Sequence, residues 1–544
     1  MNSARGNRAD PWLHAGAIIA LLAFIIYLLL PTRELYWDGV GFALAIEAPN
    51  ATAADLFHPN HLAYTWLGYV AWKAATAAGI EVRALFLLQG FNALFAALCV
   101  YLVWRILLIV TASTRRGAWG AVLFAFSATW WKFSTDADAY ILSVLCLLVC
   151  YRWLLPAGRR RPFIVGMVHG AAMLVHQLAL FFFPVAVMAL LGRRDGPDEG
   201  WWRRVRFLIE YGISAIAVTA GAYLSAFRSI HPTGGIQDFW NWITLHSPDA
   251  AFSFDPLRSA QLTLRGSVRL ILGGKLTQMQ PDIITGAGVL TLGIVLVLLA
   301  LYAVRSLRHG GGIRMAVSGE GCKKWLAGNR MAVAWALSYM AFLWFWLPQN
   351  TFYRLFYFPA LVVLLATAPI WRPARIRFLA LVSVAICAWN LTGYIYPLSR
   401  PETNDVLSFA LRQRDDWPSG STVLYRVYHT DLWTIRYFNP QVTWIFLPEN
   451  TMAEADRRER EAAGKGQAFW IEGTAYDALA DTPDGRAWLD HHIDRPHSQL
   501  HITHAHAIRF YRIRSDPMPL SEQEKPPVGV FEQFRLWRLG NLGF

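Results

Sequence analysis

Long apolar runs alternate along this chain with short polar stretches rich in arginine. The runs fall at 13–30, 84–110, 117–133, 138–156, 163–175, 177–191, 205–227, 283–304, 331–347, 355–371 and 378–397. Most approach the ~20 residues that a helix needs to cross a hydrocarbon core. The pattern predicts an all-α polytopic membrane protein with about eleven transmembrane helices. After Pro397 the long runs stop. Residues 399–515 read as a small soluble α/β unit, with strands at 421–428, 443–447 and 468–471 and helices at 404–414 and 452–463. The predicted organisation is a transmembrane domain over 1–398, an exported α/β domain over 399–515 and a tail over 516–544. The tail ends in an amphipathic stretch with Phe531, Phe534 and Trp537, which could lie back on the membrane. No internal repeat is visible.

Charge orients the spans. Arg115–Arg116, Arg159–Arg161, Arg193–Arg194 with Arg203–Arg204, the run from Arg305 to Lys324, and Arg372–Arg377 all fall on one side if the segment 62–79 does not cross. Cytoplasmic loops collect Lys and Arg, so that side is read as the inside. Segment 62–79, with Lys73 and several Thr and Tyr, is then an interfacial or re-entrant helix. The run 163–191 has basic flanks at both ends and is read as a hairpin of two short helices turning near His176. This topology puts the N-terminus on the cytoplasmic side of the cytoplasmic membrane, and exports the C-terminal domain and the loops 31–83 and 228–282.

Composition narrows the class. Of 544 residues, 55% are hydrophobic and only 16% charged, less charge than a soluble protein of this length carries. The net charge of +13 resides in short loops between apolar spans, which argues for membrane orientation and against nucleic-acid binding. Four of the five cysteines (Cys99, Cys146, Cys150, Cys387) sit in apolar spans and Cys322 in a basic loop, so no disulfide framework is indicated. Arg5 and Arg8 precede the first run without a convincing cleavage site after it, which reads as a retained first helix.

The chemistry gathers on the outer face. Asp38 follows the first span in Tyr36-Trp37-Asp38-Gly39, and Asp136, Asp138, His176 and Arg354 reach the same face from three other segments. Ionisable groups at the ends of membrane helices are expensive to hold and mark a site by default. A carboxylate can accept the proton of an attacking alcohol, and an Arg fork can hold a phosphate leaving group. Bland alternatives stand beside these readings. Any of the three acids could cap a helix, and Arg354 could snorkel to the interface. His58 and His61 could contact substrate or merely be solvated, and His169 is read as structural. Asp136-x-Asp138 has a spacing compatible with a divalent cation, Mg²⁺ or Mn²⁺. The His-rich stretch 490–506 looks like the polar face of a strand rather than a zinc site.

Several of these stretches resemble a family. Asp38-Gly39 followed by Phe57-His58-Pro59-Asn60-His61 is similar to the first exported loop of GT-C glycosyltransferases, closest to those resembling transmembrane protein O-mannosyltransferases. Residues 134–140, acid-rich and ending in Tyr140, resemble the second acidic motif of that group. Residues 170–180, with Val175-His176-Gln177, resemble its hairpin turn, and Phe352-Tyr353-Arg354-Leu355-Phe356-Tyr357-Phe358-Pro359-Ala360 resembles its Arg-Tyr-Leu-Pro segment. One departure stands out. A second acid often follows closely in the first motif, whereas here Val40 and Gly41 follow and Glu47 is the next acid.

The resemblance implies a cell-envelope glycosyltransferase that moves a sugar from a polyprenyl-phosphate donor to an acceptor hydroxyl outside the cytoplasmic membrane. In that reading Asp38 is the base, and Asp136 or Asp138 positions the acceptor or a metal. Arg354 and His176 stabilise the departing lipid phosphate, while His58, His61 and Tyr140 contact substrate. Glu47 or Asp138 stays open as a substitute base. The sugar, the acceptor (glycan, lipid or protein), the metal dependence and the oligomeric state are left open. The competing class is a transporter or flippase for a lipid-linked or anionic substrate. Transporters place polar groups near the midplane and often show repeats, unlike this chain.

Overall fold

The computed structural model describes residues 14–156, 161–192, 200–244, 252, 254–308, 319–369, 376–427, 429–447, 452–502 and 507–514. The tail at 516–544, His246, His504, His506 and the arginines at 159–160, 193–194, 314, 372 and 375 lie outside the described residues. The chain divides into two compact units between Arg400 and Pro401.

The first unit is helical throughout. Helix α1 (Ala15–Leu29) leads through a short polar turn to α2 (Trp37–Ile46), α3 (Ala53–Leu56) and α4 (Tyr64–Ala77). The apolar runs then form α5 (Ala84–Thr111), α6 (Thr114–Phe126), α7 (Ala128–Ser134), α8 (Tyr140–Leu154), α9 (Pro162–Val175), α10 (Phe183–Gly192) and α11 (Trp201–Ile230). The next loop carries α12 (Ile236–Thr244) and α13 (Pro256–Ile271), followed by α14 (Ile283–Arg308), α15 (Gly319–Gly328), α16 (Arg330–Phe345), α17 (Phe358–Thr367) and α18 (Ile376–Asn390). Among the described residues, α5, α11, most of α14 and the stretch Ile376–Leu398 are long and apolar enough to cross a membrane. Shorter apolar helices, α1, α8 and α9 among them, accompany these. Ile18, Leu21, Leu22, Ile25, Leu28 and Leu29 of α1 face outward, as side chains that meet lipid must.

Two features shape the bundle around the site. Helix α5 runs through its middle and packs against α1, α2, α6 and α8. The apolar run 117–133, expected as one span, is broken. Ser127 adopts an extended conformation (φ −69°, ψ 141°) and turns its Oγ back to donate to Leu123 O at 2.6 Å. A serine bonding one turn back commonly bends a helix, and here α7 leaves at a new angle and carries Lys132 and the acidic residues behind it. Elsewhere small residues allow close helix approach. A Cβ at Gly166 would lie 2.3 Å from Tyr211 O, and one at Gly170 would lie 3.0 Å from Ala215 O, so α9 meets α11 through a Gly-x3-Gly face. His169 between them bonds Tyr211 Oη at 2.5 Å and Ala179 O at 2.8 Å, the structural role expected of it.

The second unit holds a five-stranded sheet in the order β2-β1-β3-β5-β4, with β1 (Thr422–Tyr425), β2 (Thr443–Phe446), β3 (Phe469–Glu472), β4 (Ile493–Ile502) and β5 (Ala507–Ile513). The first three strands are parallel, and β5 and β4 add on antiparallel. Alternation sends Val423, Tyr425 and Trp470 to one core and Leu424, Phe469 and Ile471 to the other, with helices on both faces. Three described histidines of the His-rich stretch make local contacts. His491 and His492 close the helix Pro483–His492 and bond backbone carbonyls at 2.6 and 2.8 Å, and His497 of β4 pairs with Asp494 at 3.0 Å.

Asn390, fully buried at the end of α18, joins three separate segments. Its amide donates to Phe126 O and Ile271 O, both at 2.8 Å, and its oxygen accepts from Gly273 N at 3.1 Å. Leucine there would strand three backbone groups, at about 1–3 kcal/mol for each left unsatisfied. Thermal unfolding of detergent-solubilised Asn390→Leu is expected to show a midpoint several degrees below that of the parent; an unchanged midpoint would show that these bonds carry no net weight.

Candidate active site

The acidic residues lie on the turn between α7 and α8, and two amides from α5 hold its backbone. Asn92 Nδ2 donates to Asp136 O and Asp138 O, both at 2.7 Å. Gln89, one turn earlier, donates to Thr135 O and to Thr32 O at 3.0 Å each. Both amides are buried. They satisfy carbonyls that a buried turn would otherwise leave unpaired, which is why a turn can exist there at all.

Asp136 and Asp138 have different surroundings. Asp136 Oδ2 accepts from Lys132 Nζ at 2.5 Å and from Tyr36 N at 3.1 Å, and its Oδ1 accepts from Ala137 N at 2.9 Å. Lys132 sits one helical turn earlier on α7 and is itself buried. Asp138 has no such partner. Its residue is fully buried, and neither carboxylate oxygen makes a well-formed hydrogen bond among the described residues. Burial, reinforced by the negative charges of Asp38 and Asp136, holds its carboxyl well above the ordinary carboxylate range, against a smaller opposing pull from Lys132 and the Ala139 backbone. Neither acid caps α8, whose N-cap position is Ala139 with no side-chain cap.

Asp38 stands in the first turn of α2, not in an open loop. The backbones touch here, since a Cβ at Gly39 would lie 2.2 Å from Ala137 O. Glycine therefore lets α2 rest directly on the acidic turn. Part of the Asp38 residue stays open. Burial of its carboxyl, with repulsion from Asp136 second, pushes its pKa up to about 7. The three acids thus lie within electrostatic reach of one another.

Aromatic rings wall this cluster. Tyr140 stacks on Phe352 with ring centroids 5.4 Å apart and meets His176 at 5.0 Å and Tyr353 at 5.8 Å. His61 meets His176 at 4.7 Å, and His58 stacks on His61 at 5.9 Å. His58 Nδ1 accepts from Asn60 N at 3.2 Å and so opens the short turn Pro59–His61. The His176 ring is held below its usual pKa by burial first and by His61 second. Its Nδ1 accepts from Leu178 N at 3.1 Å, which leaves the proton of the neutral ring on Nε2.

The structure therefore brings together Asp38, Asp136, Asp138, Tyr140, His61 and His176, with His58 behind His61. Arg354 is placed differently. It is fully buried in the turn Phe352–Phe356, and its guanidinium donates to Tyr357 Oη at 2.9 Å and Pro348 O at 2.6 Å. Its Nε has no partner among the described residues, and Gly266 of α13 lies against it. None of its hydrogen bonds reaches a carboxylate. Snorkelling is excluded as its role by this burial.

Sequence reasoning missed Lys132, Asn92, Gln89 and Tyr36. Signals for three of them were present, since a lysine inside an apolar run four residues before Asp136, and two amides inside the run 84–110, are costly unless partnered. The expected divalent cation does not fit the donor set. Both oxygens of Asp136 are already committed, and among the described residues no three His, Cys, Asp or Glu side chains converge to hold a metal. No step is derived through one.

Lys132→Met would leave Asp136 buried without its countercharge, a loss of about 3–5 kcal/mol for breaking one side of a buried pair. Calorimetric or thermal unfolding is expected to show that destabilisation, and the double variant with Asp136→Asn should recover part of it. No recovery in the double variant would contradict the pairing as the source of the effect.

No protein-family model matches the sequence, and no curated protein matches it either. Solved structures do. The crystal structure of ArnT from Cupriavidus metallidurans bound to undecaprenyl phosphate superimposes with a TM-score of 0.54 at 12% identity, over 94% of this chain and 100% of that one. The apo form of the same protein gives 0.53 at 12% identity, over 93% and 99%. The chain thus has the polytopic membrane fold of ArnT over nearly its whole length.

Proposed function

We propose that this protein transfers a sugar from a polyprenyl-phosphate donor to an acceptor hydroxyl at the outer face of the cytoplasmic membrane. The observation that carries the reading is the closeness of a buried carboxyl, Asp138, which makes no well-formed hydrogen bond among the described residues, to Asp38, whose pKa is pushed up to about 7. A general base works best with a pKa close to the working pH. The likeness to a protein crystallised with undecaprenyl phosphate supports a lipid-phosphate donor.

In this mechanism the acceptor oxygen attacks the anomeric carbon as its proton passes to Asp38. The bond between that carbon and the phosphate oxygen breaks, and its electron pair leaves with the lipid phosphate. Asp138 hydrogen-bonds the acceptor, and its surroundings favour the protonated form that can donate. The neutral His176 offers Nε2–H to the site. Arg354 supplies fixed positive charge behind the aromatic wall, where a low-dielectric setting makes it felt at longer range. The aromatic rings exclude water and offer faces on which a sugar can lie.

Two outcomes follow from the acid cluster. Asp38→Asn, expressed in cells lacking the gene, is expected to leave cell-envelope glycans as in the deletion. With purified protein it is expected to reduce transfer about 10²–10⁴-fold while folding normally. Unchanged transfer would remove Asp38 as the base. The rate of the parent should rise with pH along a limb centred near the Asp38 pKa of about 7. Stability should run the other way. A carboxyl raised from 3.8 to about 7 on folding contributes its stabilisation below the lower value and loses it as pH climbs toward the upper one. Thermal midpoints measured across that window should fall for the parent and stay flatter for Asp38→Asn.

A further inference from the structure

Helix α13 has two unlike faces. Ser259, Thr263, Gly266 and Leu270 are buried against the bundle on one side. On the other, Leu257 (82% exposed), Leu264 (69%) and Val268 (52%) form an outward apolar strip with no protein over it among the described residues. Arg258, Arg265 and Arg269, all exposed, run along one edge of that strip. At 100° per residue they fall within about 40° of one another, so they form a column and not a scatter. The exposed helix face therefore carries a greasy stripe bordered by a line of positive charge.

That combination fits one kind of surface. An amphipathic helix with arginines beside its apolar stripe lies in the headgroup region of a bilayer, its leucines among the upper acyl carbons and its guanidiniums on phosphates. Position supports the same reading. A short connection joins Ile271 to Ile283, the start of a span-length apolar helix whose central window is only 11% buried by protein and so faces lipid. Leu272 (42%) and Leu276 (70%) continue the exposed apolar stripe into that connection.

We infer that α13 is an interfacial helix that docks on anionic phospholipid through Arg258, Arg265, Arg269 and the Leu257–Leu264–Val268 strip. The docked helix also backs the site. Its buried face presses Gly266 on the Arg354 guanidinium, where a Cβ would sit 2.4 Å from Nε. Lipid contact on one face thus fixes the backstop of a buried cation on the other. This inference does not depend on the proposed reaction, only on the membrane fold.

The test uses full-length protein with its native cysteines replaced, a spin label at Leu264→Cys, and vesicles of phosphatidylcholine alone or mixed with phosphatidylglycerol. In the mixed vesicles the label is expected to collide with dissolved oxygen far more than with a water-soluble nickel chelate. In phosphatidylcholine alone, or with Arg258, Arg265 and Arg269 all changed to Gln, that preference should fall. Each arginine near an anionic surface contributes roughly a factor of five, so removing three shifts the docked-to-free ratio roughly a hundredfold. The comparison between vesicles needs no arginine variant and stands even if the triple change impairs folding. A label that stays accessible to the nickel chelate in mixed vesicles would overturn the inference, as would lipid contact that ignores both phosphatidylglycerol and the arginines.

Discussion

Three carboxylates within electrostatic reach of one another, inside an apolar bundle, repel and are poorly solvated, and most of the site follows from how that strain is offset. Lys132 supplies the one buried cation bonded to the cluster among the described residues, and it bonds to Asp136 alone. The Tyr36 and Ala137 backbone N–H groups complete the shell around that acid. Asp136 in this way joins α7 to the entry of α2. The remaining two acids, Asp38 and Asp138, have no comparable relief, and burial drives both toward the protonated form. A carboxyl poised near neutrality, Asp38, beside one that burial holds toward the protonated form, Asp138, is an arrangement suited to accepting a proton at neutral pH.

The scaffold serves the same end. Ser127 bends the chain so that α7 delivers Lys132 and the acidic turn together. Asn92 and Gln89 then fix the turn from below, and Gly39 lets α2 settle on it from the other side. The aromatic wall of Tyr140, Phe352, Tyr353, His61 and His176 lines one side of the cluster, and low-dielectric surroundings strengthen the charge interactions of its buried members.

Much of this was legible before any coordinates. Apolar run length gave the helical membrane fold, and the strands at 443–446 and 469–472 lay where alternation placed them. The acids and histidines that converge were identifiable because each is costly at a membrane edge. What escaped was relational. Nothing local tells that Asp136 is neutralised and Asp138 is not, because the difference depends on Lys132 one turn away and on the Tyr36 backbone N–H a hundred residues earlier in the chain. The break at Ser127 escaped for another reason, since hydropathy averages over a bend. Arg354 stood out as the cation of its short turn, but its burial between Tyr357 and Pro348 arises from packing that no spacing encodes.

The central claim is that Asp38 exchanges its proton near neutral pH while the buried Asp138 beside it is held toward the protonated form. Infrared difference spectroscopy of the purified protein across that pH range reads it most directly. The predicted result is a protonated-carboxyl band that disappears as pH rises through about 7 and is lost in Asp38→Asn. No carboxyl titrating in that range, or a band that persists unchanged in Asp38→Asn, would contradict it.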